Sequence, residues 1–69
     1  MRYDLSQDRA IATLKRNTIN SLLTDLARKT GQDIPKSLKY DEEKNMYYMD
    51  IQIPTQFEET VKQSIHRIL

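Results

Sequence analysis

Residues 46–53 place the tightest constraint on this chain. Tyr47, Met49, Ile51 and Ile53 alternate with Tyr48, Asp50 and Gln52. A period of two suits a strand with one buried face and does not suit a helix. Leu38 and Tyr40 repeat the pattern upstream, and Asp41-Glu42-Glu43-Lys44-Asn45 between them is polar. Residues 37–53 therefore read as a β-hairpin. Whether the loop is residues 42–45 or 43–44, Tyr40 faces Tyr47 and Leu38 faces Met49, apolar against apolar. A slip of one residue would set Tyr40 against Tyr48 or Met46 and break the apolar face. Asn45 tolerates the left-handed backbone that such turns often need.

Helical periodicity flanks the hairpin on both sides. Over residues 7–30, Ile11, Leu14, Thr18, Ile19, Leu22, Leu23 and Leu26 recur at spacings of three and four, the apolar stripe of a long helix. Ser6 suits its N-cap with Asp8 in the first turn, and Asp4 with Gln7 is a competing capping pair. Arg28 and Lys29 suit the C-terminal end of the helix dipole, and Gly31 supplies the left-handed stop. Arg16-Asn17-Thr18 brings two poor helix formers together and is the point where the helix could break. After Pro54, residues 55–68 read as a second helix. Thr55 and Glu58 match a capping box, and Phe57, Val61, Ile65 and Ile68 form its stripe. Residues 1–5 alternate weakly, with Tyr3 and Leu5 on one side, and suit a short edge strand.

The element order is thus (β)-α-β-β-α. It implies a single α+β domain over residues 1–69, with the hairpin packed on one face by a long N-terminal helix and a shorter C-terminal one. A two-stranded hairpin is marginal alone, and two helices cover only one of its faces. The other face would carry Met46 and Tyr48, together with Tyr3. With 69 residues and no cysteine, the core is small and has no disulfide to support it. Association through strand edges or the uncovered face would relieve this, so a homodimer is the expected state.

Composition excludes several classes. Eleven Lys+Arg balance ten Asp+Glu for a net charge of +1, which implies no bulk preference for nucleic acid or anionic lipid. No apolar run approaches the ~20 residues of a membrane-spanning helix. The absence of cysteine and of a signal peptide after Met1 makes the chain read as a complete cytoplasmic protein.

No group of residues suggests catalysis. His66 is the only histidine, which excludes a two-histidine metal site, and Ser64 lies on a different helical face from it. A single glycine cannot build a phosphate loop. Asp41, Glu42 and Glu43 lack the spacing and glycine of a calcium loop and read as a solvated hairpin tip or an acidic docking knob. No cofactor or metal is expected, and the chain reads as non-enzymatic.

Binding is better represented. Arg9, Thr13, Arg16, Asn17, Asn20, Thr24 and Arg28 share one face of the first helix. Amides, hydroxyls and arginines make hydrogen-bonding protein interfaces and can also read base edges. Leu26-Ala-Arg-Lys-Thr-Gly31 resembles the first helix and turn of helix-turn-helix proteins. Asp33-Ile34-Pro35-Lys36, however, leaves no room for a recognition helix before the hairpin. Tyr48 and Tyr3, near Lys39 and Arg2, could stack bases but suit a core or dimer contact better. The first expectation is a small regulator or adaptor that binds another protein, by occlusion or scaffolding. It would use Arg9, Thr13, Arg16, Asn20, Thr24, Arg28, Tyr48 and Met46. A DNA- or RNA-binding regulator using the Arg/Asn/Thr face is the alternative, and a structural piece of a larger assembly is a third reading.

Overall fold

A computed structural model describes residues 1–69. Strand β1 (Arg2–Ser6) leads into helix α1 (Arg9–Thr30), followed by β2 (Lys36–Asp41), β3 (Met46–Ile51) and α2 (Thr55–Ile68). The sheet order is β1-β3-β2, with β3 antiparallel to both neighbours. β1 and β2 therefore run in the same direction, and α1 is the crossover that joins them past β3. A crossover of this kind packs its helix back onto one face of the sheet. The chain is α+β, as its patterning requires.

The hairpin has the register expected from its apolar residues: Leu38 pairs with Met49 and Tyr40 with Tyr47. Glu42–Asn45 form the turn, and Asn45 takes the positive φ of 50°. The two tyrosine rings pack at a tilt of 51° with centroids 4.8 Å apart. Residues 2–6 complete the sheet against the far edge of β3. Met1 extends this ladder by exchanging backbone hydrogen bonds with Ile51, its N to Ile51 O at 2.7 Å and Ile51 N to its O at 2.8 Å. A bulge at Leu5 separates the Asp4–Tyr48 and Ser6–Tyr47 pairs. Leu5 lies on the same inner face as Tyr3, two residues on, and is buried in the core.

α1 is continuous through Asn17. The hydroxyls of Thr13, Thr18, Ser21, Thr24 and Thr30 each donate to the carbonyl four residues earlier, at 2.8–3.2 Å. The helix thus absorbs its polar side chains without releasing its backbone. Its start differs from the Ser6 cap. β1 occupies Ser6, so Asp8 becomes the N-cap and its carboxylate accepts from Ile11 N at 3.1 Å, while Ser6 Oγ accepts from Asp8 N at 3.0 Å. Gly31 ends the helix at φ 71°, donating to Ala27 O. The capping box of α2 is not made. Pro54 is the cap, its carbonyl accepts from Phe57 N, and Thr55 is already helical with no side-chain capping bond.

The core contains nine buried side chains, all apolar: Leu5, Ala12, Ile19, Leu23, Ile34, Met49, Ile51, Val61 and Ile65. They come from every element except β2. α1 buries the arc of Ala12, Ile19 and Leu23, which leaves three members of its expected stripe outside. Leu14 is 68% exposed and Ile11 47%. Thr18, on the same side, is exposed as well. The apolar arc on α1 is wider than the strip of sheet beneath it. α2 buries Val61 and Ile65, half-buries Phe57 and leaves Ile68 exposed. Tyr3 lies on the helix-covered face and not on the open one. It packs against the core, and its ring meets that of His66 edge-on at 6.1 Å.

Two substitutions test the helix starts. Asp8→Ala is expected to cost about 1 kcal/mol of stability. Thr55→Ala, which removes no capping bond, should change it by less than about 0.5 kcal/mol. Urea unfolding followed by circular dichroism measures both.

Candidate functional site

The sheet face away from the helices carries Arg2 and Asp4 from β1, Met46, Tyr48 and Asp50 from β3, and Ser37, Lys39 and Asp41 from β2, by strand alternation. Arg2 organises it. Its Nε donates to Asp4 Oδ1 at 2.8 Å, and one terminal nitrogen reaches across the sheet to Asp41 Oδ2 at 3.0 Å. On the way the guanidinium lies 4.0 Å from the centroid of the Tyr48 ring, a cation–π contact. Lys39 Nζ pairs with Asp50 at 3.1 Å. Tyr48 is consequently half-buried beneath the Arg2 guanidinium, Met46 is half-buried as well, and this face is not a bare apolar patch. These are the two binding residues drawn from the sequence that lie on the sheet.

Asp41 belongs to this network and not to an acidic knob at the hairpin tip. It accepts from Lys44 N at 3.2 Å and from Arg2. These two bonds, the backbone one first, hold its carboxyl below the usual aspartate range. Glu42 and Glu43 remain exposed at the tip.

The other six sequence candidates lie along α1, on a flank of the helix rather than its outermost side. Lys15, on the opposite flank, donates to Leu5 O at 3.1 Å and so faces β1. Thr13, Arg16, Asn20 and Thr24 therefore line the flank toward β2. Thr13, Arg16 and Asn20 are half-buried there, and Thr24, Arg9 and Arg28 are exposed. The hydroxyls of Thr13 and Thr24 donate to Arg9 O and Asn20 O, and Arg16 donates to Asn17 Oδ1 at 3.1 Å. Arg9 and Arg28 keep guanidinium groups with no partner in the chain. Asn20 Oδ1 is buried and accepts no hydrogen bond.

Two further surfaces are open. One is the outward side of α1, where Ile11, Leu14 and Thr18 follow one another at spacings of three and four. Their periodicity was indistinguishable from that of core residues. The other is the free edge of β2. Gln52 N donates to Pro35 O at 2.9 Å. Alternation along an antiparallel ladder then directs the backbone groups of Ser37, Lys39 and Asp41 toward β3, and those of Lys36, Leu38 and Tyr40 away from it. On the inner face of this strand Tyr40 remains 44% exposed, and its hydroxyl bonds Asn45 Oδ1.

No cavity opens between the elements, and no group of three His, Asp or Glu side chains is placed to hold a metal. Neither helix is long and apolar enough to cross a membrane. In comparison with known proteins, no family model, no curated protein and no solved structure matches the chain.

The depressed Asp41 carboxyl has a signed consequence. A group whose folded pKa lies below its unfolded value stabilises the fold fully above the unfolded value and loses that contribution as pH falls through the folded one. The stability gap between the native chain and Asp41→Asn should therefore be widest near neutral pH and close on the acid side of the ordinary aspartate range. Urea unfolding at a series of pH values reads this gap, and a gap independent of pH would remove Asp41 from the network's energetics.

Proposed function

We propose that the protein is a small non-enzymatic adaptor that acts as a homodimer by binding another protein through the outward side of α1. The exposure of Leu14 carries this reading. A single exposed leucine on a domain surface is ordinary. Here Leu14, the most exposed of the large apolar side chains, sits one helical turn from Ile11, which is also half exposed. Thr18 continues the same side by another turn, and Leu22 follows half-buried. Together they form a narrow apolar strip of the kind that receives a helix from a partner. Arg28, Lys29 and Asp25 on the same exposed half of the helix supply a polar rim and mixed charge.

Features of the flank favour a protein over a nucleic-acid partner. The hydroxyls of Thr13 and Thr24 and the guanidinium of Arg16 are engaged within the helix. Of the arginines on this flank, Arg9 and Arg28 present free guanidiniums. Two phosphate contacts from the flank give little affinity at physiological salt.

A photo-crosslinking residue in place of Leu14 tests the proposal in the cells that make the protein. The expected result is one discrete adduct with a second protein, absent when the same group replaces Glu59 on α2 and lost when Ile11→Lys is added. Leu14→Lys itself should change stability by less than about 0.5 kcal/mol, because the side chain packs against little. An adduct with nucleic acid, an adduct joining two copies of the chain, or no adduct at all would each overturn the assignment of this strip.

A further inference from the structure

We propose that two copies of the chain pair through their β2 edges, antiparallel about a two-fold axis at Leu38, to make one continuous six-stranded sheet. This inference rests on the dimeric part of the reading above and assigns it a surface separate from the outward side of α1.

Three observations favour this edge. First, the two edges of the sheet are not equivalent. β1 presents only Arg2 and Asp4 outward before the Leu5 bulge, and Lys15 caps the Leu5 carbonyl. Bulges and charges of this kind blunt an edge against pairing. β2 has no bulge, and its outward groups at Lys36, Leu38 and Tyr40 have no partner in the chain. Second, the lysines that would guard β2 are engaged within the chain. Lys39 Nζ is held by Asp50 on β3, and Lys36 Nζ donates to Ile34 O at 3.2 Å. Third, no helix lies over β2, and Leu38 and Tyr40 are incompletely covered on the inner face.

The register follows from the positions of the outward groups. Setting Leu38 against Leu38 of the second copy also sets Lys36 against Tyr40 and Tyr40 against Lys36. Every outward group is then used, with two bonds for each of three pairs, about six in all. The same register places the Lys36 stem beside a tyrosine ring and Ser37 opposite Lys39, so no like charges face each other. Shifting the axis to Lys39 would oppose the two Lys39 ammoniums directly. Shifting it to Ser37 would run Tyr40 past the start of the partner strand at Pro35. The Leu38 axis alone satisfies both hydrogen bonding and charge.

Because the chain contains no cysteine, crosslinking reads this register cleanly. Ser37 and Lys39 are exposed, and across the proposed axis they face each other at a non-hydrogen-bonded site, the closest approach between antiparallel strands. Ser37→Cys and Lys39→Cys chains are purified separately, mixed and oxidised. The expected product is a disulfide dimer between the two different variants, well in excess of either homodimer. Light scattering of the native chain should give twice the 8.2 kDa chain mass at high concentration. Ser37→Lys, which would place a lysine against Lys39 twice per dimer, should return the mass to that of a monomer with an unchanged circular dichroism spectrum. A native chain that is monomeric throughout a concentration series, a dimer unaffected by Ser37→Lys, or homodimer crosslinks equal to the mixed one would overturn the proposal. Leu14 crosslinking is unaffected by any of these results, so the two surfaces succeed or fail separately.

Discussion

Met49 and Ile51 stand on the only strand with a partner along each edge, and the rest of the molecule is arranged around keeping them dry. β2 pairs with β3 through a tight turn. β1 holds the other edge, and α1 carries the chain from it across the inner face to β2. Leu5, Ile19, Leu23, Val61 and Ile65 then close over the two β3 side chains from three directions. Nine buried side chains are few for 69 residues, and small domains have little stability in reserve. Exposed apolar surface on α1 and an open strand edge are therefore costly features for such a chain, because that surface contributes nothing to its core.

The outer face of the sheet meets the same constraint by different means. Three strands and two helices leave that face without a covering layer. The chain covers it with its own charges, using Arg2 as a strap from β1 over Tyr48 to Asp41 on β2. A guanidinium suits this work because it is planar, can donate in two directions at once and lies readily on an aromatic ring. The strap also joins the first and last strands of the sheet, which have no hydrogen bonds to each other.

Much of this architecture was legible in the sequence, and the parts that were not have physical reasons. The hairpin register could be read because Leu38, Tyr40, Tyr47 and Met49 fit together in one alignment only. Gly31 announced the end of α1, because few residues other than glycine adopt its φ readily. Ile11 and Leu14 were read as core because periodicity reports which side of a helix is apolar and not how much of it the neighbouring sheet can reach. The expectation that Tyr3 lies on the open face fails because its face is set by register against β3, Tyr3 opposite Met49, which pattern alone does not contain. The Thr55 capping box failed for a local reason: Pro54 already directs its carbonyl along the new helix, and the box residue falls one position inside it. For the binding residues, residue type was visible but engagement was not. Tyr48 beneath Arg2, and the α1 hydroxyls turned back on their own carbonyls, are contacts a sequence does not list.

The double pairing of β3 has a dynamic side. Its odd-numbered residues hydrogen-bond toward β1 and its even-numbered ones toward β2, so two interleaved sets of amides lie on one strand. β2 is joined to β3 by a four-residue turn and can re-pair quickly. β1 is separated from β3 by α1 and the whole of β2, and closing so long a loop costs more entropy. An excursion in which β1 lifts away would therefore free every second amide of the central strand and leave the others protected. Solvent exchange would then record the motion of an edge strand as an alternation along the strand at the centre.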